Sequence, residues 1–108
     1  MGQSELPNVR LRHYTRNSSK EKILAEGILM SGDQNKVFVE RANRKPLSPR
    51  DAEARYLLKR GKGNAYVEFD AQPEELTAQT NRLTGETEFF LRGDVDLSGR
   101  SPEGFDNC

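Results

Sequence analysis

The chain has 108 residues, 33% hydrophobic and 31% charged, and its 17 basic and 17 acidic residues give zero net charge. This length indicates one domain with a lean core, and zero net charge argues against a general nucleic-acid coat, which needs a net basic surface. A single histidine and a single cysteine exclude an internal disulfide, a cysteine-based zinc site and a histidine-rich metal site. No apolar run approaches the length of a membrane span or a signal-peptide core, so we expect no membrane partner. The histidine and cysteine counts likewise lead us to expect no metal partner.

The first predicted element is a strand over residues 9–15. Apolar and arginine side chains alternate from Val9 to Arg12, which is the two-residue period of a half-buried strand. By this count His13 lies on the apolar side and Tyr14 on the opposite side, which indicates packing for Tyr14. A histidine in that position either satisfies a structural hydrogen bond or binds a ligand.

Two short helices are predicted next. Ser18-Ser19-Lys20-Glu21 has the pattern of a capping box, and Gly27 is placed to end this first helix. Ser48 is a cap residue followed by Pro49 at the first helical position, and the second helix is expected to end near residues 61–63.

The remaining predicted elements are strands, with a turn at Thr84-Gly85. The order of elements favours an α+β fold with an antiparallel or mixed sheet. We predict a single domain over 1–108 with a core of about 9–100, and loose ends at 1–7 and 100–108. The later strands are predicted at 36–40, 64–69 and 86–92, with a short extended segment at 95–97.

Charge is distributed unevenly along the chain. Between Arg41 and Lys62 only Asp51 and Glu53 oppose a series of basic residues, and acids outnumber bases from Glu68 onward. A basic flank and an acidic flank suit an anionic ligand or a charged partner, or they are two solvated faces. The eight basic residues are Arg41, Arg44, Lys45, Arg50, Arg55, Lys59, Arg60 and Lys62.

Three residues form a candidate chemical constellation: His13, Phe38 and Glu88, the last with Glu86 as its neighbour on the same strand face. A histidine, an aromatic ring and a carboxylate suit chemistry on nicotinamide adenine dinucleotide (NAD), because cleavage of its glycosidic bond builds positive charge at the ribose. The alternatives are a core position for Phe38 and a solvated strand face for the two glutamates.

The chain resembles the small ADP-ribosyltransferase toxin domains at the C-termini of bacterial polymorphic toxins, including Rhs-type proteins, and especially the group with a His-Tyr-Asp signature. The resemblance covers roughly residues 9–100 and depends on the order and spacing of several short motifs. The matching segments are His13-Tyr14-Thr15, Ile23 to Leu29, Val37-Phe38-Val39, Tyr66 to Asp70, and Gly93 to Arg100.

The resemblance implies a split β-sheet with two short helices, and NAD as the donor substrate. It places His13 at the adenosine-side ribose and Phe38 at the nicotinamide ring, where the family often has tyrosine; Tyr14 and Thr15, next to His13, are further cofactor-binding candidates. Glu88 is our choice for the catalytic acid.

Other residues keep alternative roles under the same resemblance. Asp94 is the alternative acid, because the third letter of the signature is aspartate, and next to Gly93 it is also a natural turn residue. Glu86 is a candidate contact for the acceptor. Arg12 and Arg16 are either pyrophosphate ligands or surface charges.

The resemblance further implies an NAD-dependent mono-ADP-ribosyltransferase that acts in interbacterial competition. We expect delivery to the target-cell cytoplasm as part of a larger secreted toxin, and a cognate immunity protein that blocks the cleft. The target would be an intracellular protein or RNA, such as elongation factor Tu or ribosomal RNA. The alternatives are a non-catalytic binding or immunity-type module of similar fold, and a relative that removes a 2′-phosphate from RNA. The latter needs a denser basic motif than the surroundings of His13 offer.

Overall fold

The computed structural model describes residues 8–107, apart from the side chain of residue 33. Within them lie two α-helices and eight β-strands, so the predicted α+β class is confirmed. No helix of the described part is long and apolar enough to cross a membrane. The helices are α1 (Asn17–Glu26) and α2 (Pro49–Tyr56), and the strands are β1 (Val9–Thr15), β2 (Ile28–Leu29), β3 (Lys36–Arg41), β4 (Ala65–Ala71), β5 (Thr77–Thr80), β6 (Thr87–Arg92), β7 (Val95–Asp96) and β8 (Glu103–Asp106).

Six strands form an antiparallel sheet in the order β5-β6-β3-β1-β4-β8, and β2 pairs with β7 in a separate ribbon. Strand β1 pairs with its two neighbours, β4 and β3, over very different lengths. β1 pairs with β4 at seven consecutive positions, from Val9 opposite Ala71 to Thr15 opposite Ala65. It pairs with β3 at two positions, Leu11 opposite Arg41 and Arg12 opposite Glu40.

Beyond these two pairs the central strands diverge. Residues Lys36 to Val39 of β3 pair instead with β6, on the side away from β1. A wedge therefore opens between the ends of the strands that carry His13 on β1 and Phe38 on β3. This is the split sheet that the resemblance implied, and it positions the candidate site.

The hydrophobic core lies on one face of the sheet, beneath the β2–β7 ribbon. The apolar residues of β1, β3, β4 and β6 alternate onto this face, and each large side chain that is fully buried contributes roughly 1.5–3 kcal/mol to folding. Ile23 of α1 packs against its edge. The cluster comprises Leu11, Leu29, Val37, Val39, Val67, Phe69, Ala71, Leu91, Val95 and Leu97.

The opposite face of the sheet carries charged and aromatic side chains instead of a second apolar core. Arg12 donates to Glu40 at 2.6 Å and to Glu68 at 3.1 Å, across both neighbouring strands. Burial alone would lower the pKa of Arg12, but its bonds to Glu40 and Glu68 outweigh burial and raise it. The guanidinium therefore stays charged, and its bonds tie β3, β1 and β4 together.

The helix boundaries differ in part from the predictions. The capping box at Ser18 is wrong, because α1 begins at Asn17, after Arg16, and has no side-chain cap. Gly27 does end this helix, at φ 70°. The Ser48 cap of α2 is confirmed, since its Oγ accepts from the Asp51 amide at 3.2 Å.

The second helix is shorter than predicted. It ends at Tyr56, and Leu57 takes the left-handed conformation at φ 54°. The carboxylate of Glu53 accepts from the Gly61 amide at 2.8 Å, and a Cβ at Gly63 would lie 2.5 Å from the Pro49 carbonyl oxygen. The chain thus folds back against the start of α2, and a longer helix would carry it away from that contact.

The predicted loose C-terminal end is corrected by β8. Residues Glu103–Asp106 pair with β4 at four positions, and Asp106 accepts from Lys20 of α1 at 2.5 Å. Gly104 lets β8 approach α1 closely, since a Cβ at this position would lie 2.6 Å from Leu24. Arg100 is likewise anchored, through two hydrogen bonds to Glu75. Residues 1–7 and 108 lie outside the described part, so the prediction for the N-terminal end stays a prediction.

Candidate functional site

A cleft of about 270 Å³ occupies the wedge between β1 and β3. Its walls come from the end of β1, the start of α1, the start of β3 and the end of α2, so residues distant in sequence meet here. The lining residues are His13, Tyr14, Thr15, Ser19, Met30, Gly32, Lys36, Phe38, Tyr56, Leu58 and Lys62. Four of the predicted site residues, His13, Tyr14, Thr15 and Phe38, therefore lie in one cleft.

His13 is held by the strand opposite it. Its Nδ1 lies 2.8 Å from the Phe38 carbonyl oxygen, and a carbonyl can only accept, so Nδ1 carries the hydrogen. That carbonyl is available because β3 makes no ladder pair with β1 at this position. The second ring nitrogen, Nε2, is then an acceptor.

The imidazole of His13 is kept neutral by its surroundings. Burial lowers its pKa from the ordinary 6.5, and the Lys62 charge lowers it further, against the opposing effect of the bond to Phe38. A neutral ring keeps the Nε2 lone pair, which an imidazolium would lose. The site therefore offers a hydrogen-bond acceptor at neutral pH.

Phe38 presents a half-buried aromatic ring to the cleft. It packs against Phe90 directly opposite on β6, with ring centroids 5.9 Å apart and planes at 57°. Phe90 is buried and has Lys36 over its face at 4.6 Å. Packing against Phe90 thus holds the Phe38 ring in place.

Two lysines give the cleft a positive character. Lys36 donates to Gln79 at 2.8 Å, and Lys62 has no carboxylate within 4.0 Å among residues 8–107. The hydroxyls of Thr15 and Ser19 add neutral hydrogen-bonding groups. Such a lining of cations, hydroxyls and aromatic rings suits an anionic ligand with a flat ring.

Both tyrosines of the cleft are linked to Glu40, which sequence reasoning missed. Tyr14 donates to Glu40 at 2.7 Å and accepts from the Leu47 amide at 2.7 Å, and Tyr56 donates to Glu40 at 3.4 Å. Burial, reinforced by the Glu40 charge, raises the pKa of both hydroxyls. Tyr14 therefore packs, as its strand parity predicted.

Arg12 lies inside the sheet and does not line the cleft. Its side chain is buried, with the residue 2% exposed, and its guanidinium is shared by Glu40, Glu68 and the Arg44 carbonyl. The structure therefore does not bring Arg12, a predicted cofactor-binding residue, into the cleft, because its guanidinium is bound by residues inside the sheet. Arg16 is exposed at the start of α1 and does not line the cleft.

Glu88 lies on the same sheet face as Phe38 but does not itself line the cleft. It is two residues from Phe90 on β6, and it is 4% exposed. Its contacts are long: Gln79 donates to it at 3.5 Å, and the guanidinium of Arg55 approaches at 3.8 Å. Glu86 is exposed and pairs with Arg55 at 3.0 Å.

Residues 11–99 match the model of the family described as HYD1 signature containing ADP-ribosyltransferase, a family of toxin domains. The chain belongs to this ADP-ribosyltransferase family. The match covers the wedge, both helices and the whole of β6. No curated protein and no solved structure shows a significant match to the chain.

Asp94, the alternative acid of this ADP-ribosyltransferase domain, lies away from the cleft. Its carboxylate accepts from the Ser31 amide at 2.8 Å and from the Ser31 hydroxyl at 2.9 Å. These bonds lower the pKa of Asp94, the amide contributing most. Asp94 thus fixes the turn after β6 to the loop after β2, which is the turn role that Gly93-Asp94 suggested. The structure does not bring it to His13 and Phe38.

The site also contains functional candidates that no motif of the ADP-ribosyltransferase family predicted. Arg55 and Tyr56 are the last two residues of α2, next to the cleft. In the sequence, only their position at the end of a capped helix indicated them. The described residues contain no group of three or more His, Cys, Asp or Glu that would hold a metal ion.

Proposed function

We propose that the protein is an NAD-dependent mono-ADP-ribosyltransferase that binds NAD in the wedge between β1 and β3. The observation that carries this proposal is the tie between His13 and the Phe38 carbonyl at 2.8 Å. It places an acceptor nitrogen and an aromatic ring in one cleft, within a domain of the ADP-ribosyltransferase family. The donor set fits NAD: a ribose hydroxyl can donate to Nε2, a ring can stack on Phe38, and Lys36 or Lys62 can face the pyrophosphate.

In the proposed reaction the bond between nicotinamide and the ribose C1′ breaks, and its electron pair leaves with nicotinamide. The positive charge that develops on the ribose is stabilised by a carboxylate, for which we propose Glu88. An acceptor nucleophile then forms the new bond to C1′ and loses its proton. Glu88 is supported by its position on the face of Phe38 and Phe90 and by its lack of short hydrogen bonds, which leaves its oxygens free for a ligand.

The test is to incubate the protein with NAD labelled in the adenylate part and a bacterial lysate, and to assay released nicotinamide. We expect release of nicotinamide and label on an acceptor, with protein and RNA fractions counted separately. Intact NAD after prolonged incubation would contradict the proposal. It would favour the non-catalytic binding module, for which one observation speaks: among the described side chains, no carboxylate lines the cleft.

We further propose that the acceptor is an intracellular protein or RNA such as a translation component, and that a cognate immunity protein covers the cleft. We propose delivery to the target-cell cytoplasm within a larger secreted protein, a step that the lysate assay does not require. The toxin family supports this set of proposals. Label on elongation factor Tu or on ribosomal RNA would identify the target.

Charge supports the expected partner contact. Arg44, Lys45, Arg50, Lys59 and Arg60 are exposed, and among residues 8–107 none of them pairs with a carboxylate within 4.0 Å. An acidic immunity protein or target that meets this flank should associate more slowly as salt rises. An association rate that does not change with ionic strength would contradict the contact.

A further inference from the structure

One guanidinium connects the end of α2 to three consecutive residues of the strand segment that carries Glu88. Arg55 Nε lies 3.0 Å from a carboxylate oxygen of Glu86. Its Nη2 donates to the Thr87 carbonyl at 2.5 Å, and its Nη1 lies 3.8 Å from Glu88 Oε2. The planar fork of an arginine suits this kind of multiple, directional contact.

One of the three guanidinium nitrogens of Arg55 lacks a hydrogen bond within residues 8–107. Nη1 of Arg55 is buried and has no hydrogen-bond partner among the described residues. Its distance from Glu88 exceeds that of a hydrogen bond, so a small displacement of either side chain would complete one. A buried cationic N–H without a partner is costly, so a movement that completes its hydrogen bond would be favoured.

The guanidinium of Arg55 also contacts a residue that lines the cleft. Its guanidinium lies 5.1 Å from the centre of the Tyr56 ring, and Tyr56 lines the cleft. The same residue pair therefore contacts the ligand site on one side and the Glu88 segment on the other.

We propose that Arg55 is a positioning residue for Glu88, whose carboxylate it orients toward the reacting ribose. This inference deepens the proposed function and depends on it. Arg55 does not touch the ligand. Its two short contacts, to Glu86 and the Thr87 carbonyl, fix the guanidinium, and Nη1 then completes its hydrogen bond to Glu88 as the ligand is bound.

The test compares NAD hydrolysis by Arg55→Met, Arg55→Lys, Glu88→Gln and the double variant Arg55→Met with Glu88→Gln. We expect Arg55→Met to lower kcat about tenfold with little change in KM, because positioning acts on the transition state. Arg55→Lys should restore part of the loss. In the double variant the Arg55 change should have almost no further effect, since its target charge is gone.

Lys22→Met serves as the matched control, because Lys22 is an exposed cation on α1 and lies outside the cleft. Its kcat should equal that of the unmodified protein. Equal losses from Arg55→Met in the presence and absence of the Glu88 carboxylate would overturn the inference, as would a rise in KM alone. If the unmodified protein releases no nicotinamide, the proposed function itself fails; if it releases nicotinamide but the Arg55→Met loss does not depend on Glu88, the inference alone fails.

Discussion

Two buried carboxylates on the same face of neighbouring strands have opposite surroundings. Glu40, 8% exposed, accepts at 2.6 Å from Arg12 and at 2.7 Å from Tyr14. Glu88, 4% exposed, has contacts no shorter than 3.5 Å, from Gln79 and Arg55. A carboxylate saturated by short bonds holds the fold together, whereas one with only long polar contacts has oxygens free to accept from a ligand. Burial alone does not distinguish the two roles; the distances to the donors do.

The largest expected effect is on stability, at Glu40. Glu40→Gln should lower the free energy of unfolding by about 3 kcal/mol, because it leaves the buried Arg12 without its closest counter-charge. Urea unfolding followed by circular dichroism measures this loss. A stability within ~1 kcal/mol of the unmodified protein would show that Glu40 and Glu88 are not different in the way their contacts suggest.

The reverse effect is expected at Glu88. Glu88→Gln keeps the shape and removes the charge, so NAD transfer should fall by roughly a hundredfold or more while the free energy of unfolding changes by less than ~1 kcal/mol. Transfer is measured as labelled acceptor per unit time, and NAD binding by calorimetry should persist.

Asp94→Asn is the matched control for Glu88→Gln, because Asp94 bonds to Ser31 and lies away from the cleft. It should leave transfer near the level of the unmodified protein. Loss of transfer in Asp94→Asn with full transfer in Glu88→Gln would reverse the assignment.

A smaller effect is expected at Phe38. Phe38→Leu retains most of the apolar contact with Phe90 but removes the aromatic face, so turnover of NAD should fall about two- to tenfold. The melting temperature should move little. A lower melting temperature with unchanged turnover would make Phe38 a core residue only.

The smallest effect concerns His13 and pH. Because burial lowers the pKa of His13, the unfolded chain binds more protons than the folded one as pH falls below about 6.5, and stability is lost in that range. In the folded protein His13 protonates only at its lowered pKa, and protonation removes the Nε2 acceptor, so NAD affinity should weaken several-fold at a pH below that at which stability begins to fall.

His13→Gln separates these effects, since glutamine keeps a donor for the Phe38 carbonyl and does not titrate. Its affinity for NAD should be lower at pH 7.5 and should lose the acid-dependent decline. Calorimetric titration with NAD and urea unfolding, both at pH 7.5 and 5.5, measure the two quantities. An unchanged affinity with a large loss of stability would make His13 structural.

Local patterns predicted much of the fold. The alternation in β1 gave His13 and Tyr14 their correct faces, Gly27 and Ser48 marked helix ends, and the turn at Thr84-Gly85 lies in the loop between β5 and β6, with Gly85 at φ 74°. These features depend on residues close in sequence, so a single sequence carries them.

The remaining features arise from register across the sheet. Arg12 meets Glu40 over a separation of 28 residues, and Arg55 meets Thr87 over 32, so neither contact has a local signal. β8 was missed because its support is distant in sequence, with β4 beside it and α1 beneath its Gly104. The candidate constellation was partly correct for the same reason, since His13 and Phe38 meet across the wedge while Asp94 lies elsewhere.

The short ladder between β1 and β3 has a mechanical consequence. Two residue pairs join one half of the sheet to the other, against seven between β1 and β4, so the halves can pivot about this joint. We expect amide protons to exchange slowly along β1 and β4 and faster along the edge of β3 that faces the wedge. A ligand that bridges the wedge would add contacts between the two halves of the sheet. Slower amide exchange at Lys36 to Val39 on ligand binding would measure how far these contacts stiffen the joint.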